Sequence, residues 1–168
     1  TGKEYTGYWV KADAAKIDLA LDIVSDMLLN PKIPAAEIER EKGVIIEEFN
    51  MYLDNPMMYV EEVFEECLYG DTPAGWDTLG TRKNIIGFKR SDFTKYLSSQ
   101  YSADNTFICL SGNIGPNGRK AINKVSRFFS SPAFKKRGNN FREKERTVEK
   151  QKNVNIKMHY KKTDQAHF

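Results

Sequence analysis

Two glutamates on one predicted helix, Glu41 and Glu48, are the residues of this chain best placed to do chemistry. They lie in segment 37–48, which reads EIEREKGVIIEE and is rich in helix-forming residues. Seven residues at about 100° each fall about 20° short of two turns, so both carboxylates share a face roughly 10 Å apart along the axis. Val44 and Ile45 lie between them on that face. A carboxylate beside aliphatic side chains must be ion-paired, protonated or bound to a metal, so the segment predicts one of these states.

An ion-paired structural helix is the simpler explanation of the same spacing. Arg40 and Lys42 can pair with acids three or four residues away, and Glu37 joins the acidic face one turn before Glu41. Two carboxylates at a helical interval are common in helices that do no chemistry. The spacing alone therefore leaves the structural and the functional explanation open.

Composition favours one domain with an uneven charge. A chain of 168 residues can bury one core. Residues 1–110 carry a net charge of −8, whereas residues 111–152 carry +9. Such asymmetry can mark a nucleic-acid surface, but few aromatic residues interleave with the basic ones, and three glutamates are mixed among them. We therefore expect a solvated helix face and a charged connector over 131–152, and no nucleic-acid partner.

The sequence also argues against a membrane partner and against a Cys-x-x-Cys site. No apolar run reaches the 18 or more residues that cross a membrane, so no membrane partner is expected. The only cysteines, Cys67 and Cys109, lie in apolar surroundings and form no Cys-x-x-Cys pair. Both are expected to be reduced core residues, which favours a reducing compartment such as the cytosol.

Hydrophobic periodicity and helix caps predict an α+β fold, with helices packed on one face of a mostly antiparallel sheet. Helices are predicted over 14–29, 34–53, 57–68, 92–101 and 119–129. Strands are predicted over 5–11, 105–111, 154–160 and 165–168. A loop over 69–81 contains Trp76, which could pack in the core or line a substrate chamber.

Segment 39–48, EREKGVIIEE, closely resembles the second signature of the inverzincin metallopeptidases. This group includes pitrilysin, insulin-degrading enzyme and the mitochondrial processing peptidase. The flanking segments resemble the same family in the same order, so the resemblance covers nearly the whole chain. These segments are 1–8 (TGKEYTGY), 20–29 (ALDIVSDMLL), 69–73 (YGDTP), 79–81 (LGT), 101–106 (YSADNT), 110–113 (LSGN) and 165–168 (QAHF).

The resemblance implies a zinc-dependent endopeptidase that acts on peptides or unfolded polypeptides. By position, Glu48 falls on the third zinc ligand and Glu41 on a carboxylate that supports the ligands. A catalytic zinc takes three protein ligands and keeps a fourth position for water, which becomes the nucleophile. An outer carboxylate such as Glu41 would orient the ligands by hydrogen bonds.

The other zinc ligands are missing from this sequence. The family's His-x-x-Glu-His helix does not occur here, and the only histidines, His159 and His167, are not expected to bind zinc. The resemblance places two histidine ligands upstream of residue 1. It thus implies that residues 1–168 are the central portion of one peptidase domain, truncated at both ends and inactive alone. The alternative is a non-catalytic scaffold or partner homologue of the same family.

The resemblance also implies where a substrate and a partner would bind. In the family, the segment near Thr1 adjoins an edge strand that pairs with an extended peptide. Thr1 and Trp76 are therefore the candidate substrate contacts. Association is expected through exposed sheet edges or with a homologous half-domain.

Overall fold

The computed structural model describes residues 1–115, 118–135, 146–147, 151–162, 164 and 166–167. Within them the chain forms helices α1 (Ile17–Leu29), α2 (Ala35–Asp54), α3 (Pro56–Tyr69), α4 (Arg82–Gly87), α5 (Arg90–Gln100), α6 (Gly118–Phe129) and α7 (Pro132–Lys135). Single 3-10 turns cover Ala14–Lys16 and Ala103–Asn105. No helix of the described residues is long and apolar enough to cross a membrane.

The prediction of an α+β fold with a mostly antiparallel sheet is wrong. The described part of the chain is helical and contains no strand. Residues 5–11, 105–111 and 154–160 were expected as strands, but they form no ladder among the described residues. Their apolar side chains are exposed, apart from the half-buried Leu110. Alternation predicts the two faces of a strand, whereas a strand exists only where a neighbour pairs with its backbone. The strand predicted over 165–168 lies partly outside the described residues, because 165 and 168 are not among them.

The helices were predicted closely because their ends carry local signals. Asp13 accepts a hydrogen bond from the Ala15 amide, which confirms it as a cap. Asn55 caps α3 by accepting from the amides of Met57 and Met58, and Pro56 fills the first helical position. Thr81 caps the short helix α4 by accepting a hydrogen bond from the Asn84 amide.

The described residues form two compact units. The first unit contains described residues of 1–6, 35–89 and 143–168, and the second contains those of 7–34 and 90–142. The connector expected over 131–152 falls mainly outside the described residues, and its first part forms α7. The chain as one portion of a single peptidase domain stays a prediction.

The second unit is built around the apolar face of α1. Leu21 and Leu28 are buried there against Phe129 of α6 and Phe134 of α7. The predicted apolar stripe of α1 is confirmed, and it packs on α6 as an amphipathic helix should. Cys109, expected in a core, is exposed, so that prediction is wrong, whereas Cys67 of the first unit is half-buried.

The first unit places α2 against both α3 and α4. Ile38, Val63 and Ile85 supply one buried side chain from each of the three helices. The packing uses one side of α2 and leaves the side that carries Glu41 and Glu48 exposed.

Leu21 and Leu19 offer a matched test of the core of the second unit, since one is 7% exposed and the other 56%. Leu21→Ala should lower the free energy of unfolding by about 2–5 kcal/mol, because it removes buried methyl groups and leaves a cavity. Leu19→Ala should change it by about 0.5 kcal/mol or less. Urea unfolding followed by circular dichroism measures both. Equal losses for the two variants would contradict the assigned core.

Candidate functional site

Glu41 and Glu48 lie on α2 as predicted, and both side chains are exposed. Val44, between them, is also 56% exposed. Among the described residues neither carboxylate has a hydrogen bond or an ion pair. Water can therefore solvate both groups, and the sequence-based requirement for pairing, protonation or metal binding does not hold within this part of the chain. Two charged acceptors remain available to an external ligand.

The basic residues of α2 pair with other acids of the same helix. Arg40 Nη1 lies 2.8 Å from Glu37 Oε2, and Lys42 Nζ lies 2.7 Å from Glu39 Oε1. Both pairs have the i, i+3 spacing that favours such contacts. The structural explanation therefore accounts for Glu37 and Glu39, and it leaves Glu41 and Glu48 unexplained.

The described residues do not complete a metal site. No group of three or more His, Cys, Asp or Glu side chains is arranged among them to hold an ion. Carboxylate oxygens bind zinc at about 2.0–2.2 Å, so residues two helical turns apart cannot both bind one ion from this straight helix. The donor set here fits one carboxylate ligand plus an outer carboxylate, and no more. His159 instead packs edge-on against Tyr59, with ring centroids 4.7 Å apart.

Trp76 is presented to solvent rather than packed in the core. Its side chain is 56% exposed, so the core-packing explanation is wrong. The indole Nε1 donates a hydrogen bond to Asp71 Oδ1 at 2.7 Å. The backbone carbonyl of Thr72 accepts from the amides of Gly75 and Trp76. A Cβ at Gly75 would lie 2.2 Å from the Gly70 carbonyl oxygen, so only glycine allows this close turn.

Lys3 connects the N-terminal segment to the Trp76 loop. Its Nζ donates to the carbonyl of Ala74 at 2.8 Å and forms an ion pair with Glu65 of α3. The structure thereby brings the segment that starts at Thr1 close to the loop that presents Trp76. Sequence reasoning missed Lys3, whose one signal was a lone cation in a segment otherwise lacking basic residues.

Four acidic residues of α3 and of the Trp76 loop affect one another's charge: Glu61, Glu62, Glu65 and Asp77. Burial of Glu62 raises the pKa of its carboxyl, and the charges of Asp77, Glu65 and Glu61 raise it further, against a lowering effect of Lys3. Burial and like charges both penalise the ionised form. The protonated form of Glu62 is therefore favoured by folding.

Glu62→Gln should stabilise the chain at neutral pH. A folded-state pKa above the unfolded value gives stability that is present below the unfolded pKa and is lost as the pH rises through the folded pKa. The neutral amide avoids that loss, so the variant should exceed wild type at pH 7 and equal it below about pH 4. Urea midpoints from pH 4 to 8 measure the difference. The exposed Glu47→Gln should show no such trend, and a Glu62→Gln variant that is less stable at pH 7 would contradict the assignment.

Comparisons with a family model and with sequence relatives point to the same protein family. The family model described as Insulinase (Peptidase family M16) matches residues 1–82. An uncharacterized zinc protease of Bacillus subtilis is 30% identical over 168 residues, which are 100% of this chain and 39% of that protein. One of Rickettsia bellii is 33% identical over 131 residues, covering 78% of this chain and 31% of that protein. The chain thus spans well under half the length of these relatives.

A solved structure shares the fold at low sequence identity. A peptidase M16 inactive domain from Pseudomonas fluorescens superposes with a TM-score of 0.68 at 20% identity, over 81% of this chain and 32% of that chain. The family model and the sequence relatives confirm the resemblance seen in segment 39–48 and its flanks. The chain belongs to the insulinase family, peptidase family M16.

Proposed function

We propose that this chain is a segment of a zinc-dependent endopeptidase, with Glu48 as a zinc ligand and Glu41 as a carboxylate that orients the ligands. The observation that carries the proposal is the division of the acids on α2. Glu37 and Glu39 are held by Arg40 and Lys42, whereas Glu41 and Glu48 face solvent on a helix anchored through the buried Ile38. Relatives named zinc proteases support the choice of metal.

The role of this chain's residues is to supply negative charge at fixed positions. When bound in such a site, zinc lowers the pKa of a water ligand and polarises a peptide carbonyl. Glu48 would contribute one oxygen ligand and part of the charge that retains the cation. Glu41, two turns away, is suited to accept a hydrogen bond from another ligand's ring N–H and so fix its orientation.

The remaining ligands are proposed to come from outside these 168 residues, since no His-x-x-Glu-His occurs in them. The relatives are more than twice as long, which leaves room for such a motif. The segment alone should then lack peptidase activity, because one carboxylate cannot retain zinc. The alternative, a non-catalytic scaffold or partner homologue, has the same helix but no zinc and no turnover.

Glu48→Gln in the full-length polypeptide should abolish stoichiometric zinc and lower peptidase activity by more than about 100-fold, because a neutral amide is a poor zinc ligand. Glu41→Gln should weaken zinc binding by about 10–100-fold. Zinc content by mass spectrometry and hydrolysis of a quenched peptide measure both effects. Glu47→Gln is the matched control, since this exposed neighbour lies on another side of α2.

Three outcomes would count against the proposal or favour its alternative. Undiminished zinc and activity in Glu48→Gln would remove Glu48 from the ligand set. Wild-type polypeptide without zinc or turnover would favour the scaffold homologue. Tight stoichiometric zinc binding by the 168-residue chain alone would contradict the missing-ligand explanation.

We also propose that Trp76 and the segment at Thr1 contact the peptide substrate. Support comes from the exposed indole, whose direction is fixed by Asp71, and from Lys3, which holds the N-terminal segment to the same loop. A rigid exposed tryptophan can bury a large apolar area with little loss of conformational freedom.

Trp76→Ala in the full-length polypeptide should raise KM by about 10-fold while kcat changes little, because it removes binding energy and no reacting group. Steady-state hydrolysis of a quenched peptide separates the two constants. Phe107→Ala, at a fully exposed aromatic residue, should leave both unchanged. A fall in kcat at constant KM would contradict a role in binding.

A further inference from the structure

Residues 151–162, which we call the strap, are attached to the first unit by polar contacts at every second residue. Their partners belong to α3 and to the end of α2. The contacts are Asn155 Nδ2 to the Cys67 carbonyl at 3.3 Å, an ion pair of Lys157 with Glu66, the ring of His159 against Tyr59, and Lys161 Nζ to the Leu53 carbonyl and Asp54 Oδ1 at 2.8 and 2.7 Å. The partners move back along the chain as the strap advances, so the strap runs antiparallel to α3.

The strap is attached without contributing to a core. Each of its residues is exposed except Lys161, which is half-buried. The side chains of Lys157 and Lys161 are 41% and 36% exposed. Their acid partners, Glu66 and Asp54, are 57% and 78% exposed. Water therefore reaches both members of each ion pair, and the hydrophobic effect adds little to the attachment.

The free-energy terms that hold and oppose the attachment are both modest. Exposed ion pairs are individually weak and are screened by salt. Fixing an extended chain loses backbone conformational entropy at each residue, and no buried apolar side chain of the strap offsets this loss. The attached and the released strap therefore lie close in free energy, so a change in charge or in ionic strength shifts the population between them.

One side chain of α3 can report the release of the strap. The Cys67 thiol donates to the Asn155 carbonyl at 3.7 Å, and the side-chain amide of Asn155 donates to the Cys67 carbonyl. Cys67 is half-buried, whereas Cys109, in the second unit, is exposed. Release of the strap removes the group that contacts the thiol. The chain thus carries one cysteine whose exposure depends on the strap and one whose exposure does not.

We propose that the strap is a salt-sensitive conformational device, which closes over α3 when its lysines are paired and uncovers Cys67 when the pairs are broken. In the closed state Lys161 also donates to the Leu53 carbonyl at the C-terminal end of α2, where the helix dipole favours a cation. Release returns the acids of both pairs and the thiol to solvent together. The inference does not depend on zinc binding or on peptidase activity.

Maleimide labelling of the 168-residue chain, with each cysteine quantified by peptide mass spectrometry, tests the proposal. The measured quantity is the labelling rate of Cys67 divided by that of Cys109, which removes effects of the solution on thiol chemistry in general. Raising the salt concentration from about 0.01 to about 1 M shortens the Debye length from about 30 to about 3 Å. The ratio should then rise at least about fivefold, because the pairs that hold the strap are exposed.

Lys161→Glu should raise the same ratio at least about fivefold at about 0.1 M salt, since it sets a carboxylate against Asp54 and removes the donor to the Leu53 carbonyl. The substituted residue contacts the chain just before α3, and Cys67 lies near the other end of that helix, about 16 Å along its axis. This separation exceeds the Debye length of about 10 Å, so the new charge acts on the thiol through the strap.

Two further variants separate the ion pair from a general charge effect. Asp54→Lys combined with Lys161→Glu restores the pair with its signs exchanged, and the ratio should return to within about twofold of wild type. Lys162→Glu is the matched control, because it makes the same substitution at the neighbouring exposed lysine, which has no ion pair among the described residues. Its ratio should also stay within about twofold of wild type.

Four results would overturn the proposal. An unchanged ratio in Lys161→Glu would show that the strap does not control the thiol, and a ratio independent of salt would show that charge does not hold the strap. An equal rise in Lys162→Glu would show a general effect of charge. A rise that accompanies a loss of helical circular dichroism would show that α3 unfolds, whereas release of the strap raises the ratio with the helix content retained.

Discussion

Helix α2 can offer carboxylates to a ligand because none of its cations lies three or four residues from Glu41 or Glu48. Arg40 and Lys42 reach back one turn to Glu37 and Glu39. Neither cation has an acid three or four residues further along the helix. Exposed ion pairs of this kind contribute only about 0–1 kcal/mol each to stability. The positions of the two cations in the sequence, more than the energy of their pairs, leave Glu41 and Glu48 available.

The anchoring of α2 follows from its other side. Ile38 is buried, and α2 packs on α3 and α4 within the first unit. A helix fixed along one side holds its exposed side chains in a constant frame, which a metal ligand requires. This separation of a packing side from a presenting side could not be anticipated from segment 37–48, where Val44 and Ile45 share a face with Glu41 and Glu48. The partner of each cation could be anticipated, because Glu37 is the one acid three or four residues from Arg40, and Glu39 is the one acid at that spacing from Lys42.

Local signals explain which parts of the fold could be predicted. Helices α1, α2, α3 and α6 begin and end close to the predicted positions, because caps and prolines act within a few residues. The exposure of Trp76 depends instead on a hydrogen bond to Asp71 and on the close turn at Gly75. The glycine and aspartate content of the loop predicts a loop, but it does not predict this hydrogen bond or this turn. Lys3 contacts this loop across 71 residues, and no local pattern encodes such a contact.

The expected strands are missing from the described residues for a related reason. Alternation of apolar and polar residues is a property of one segment, whereas a strand also requires a second segment that pairs with its backbone. In 154–160 the alternation correctly separates the residues that face α3 from those that face away. The partner of the polar side is a helix rather than a neighbouring strand, so no ladder forms there among the described residues.

Helix α3 is therefore the element on which both extended segments depend. Its adjacent residues Glu65 and Glu66 hold Lys3 and Lys157, and these residues point in directions about 100° apart on the helix. Partly exposed pairs of this kind hold a segment in place without burying it. A segment attached by its polar side leaves its apolar side chains free of the core, and water makes that exposure unfavourable.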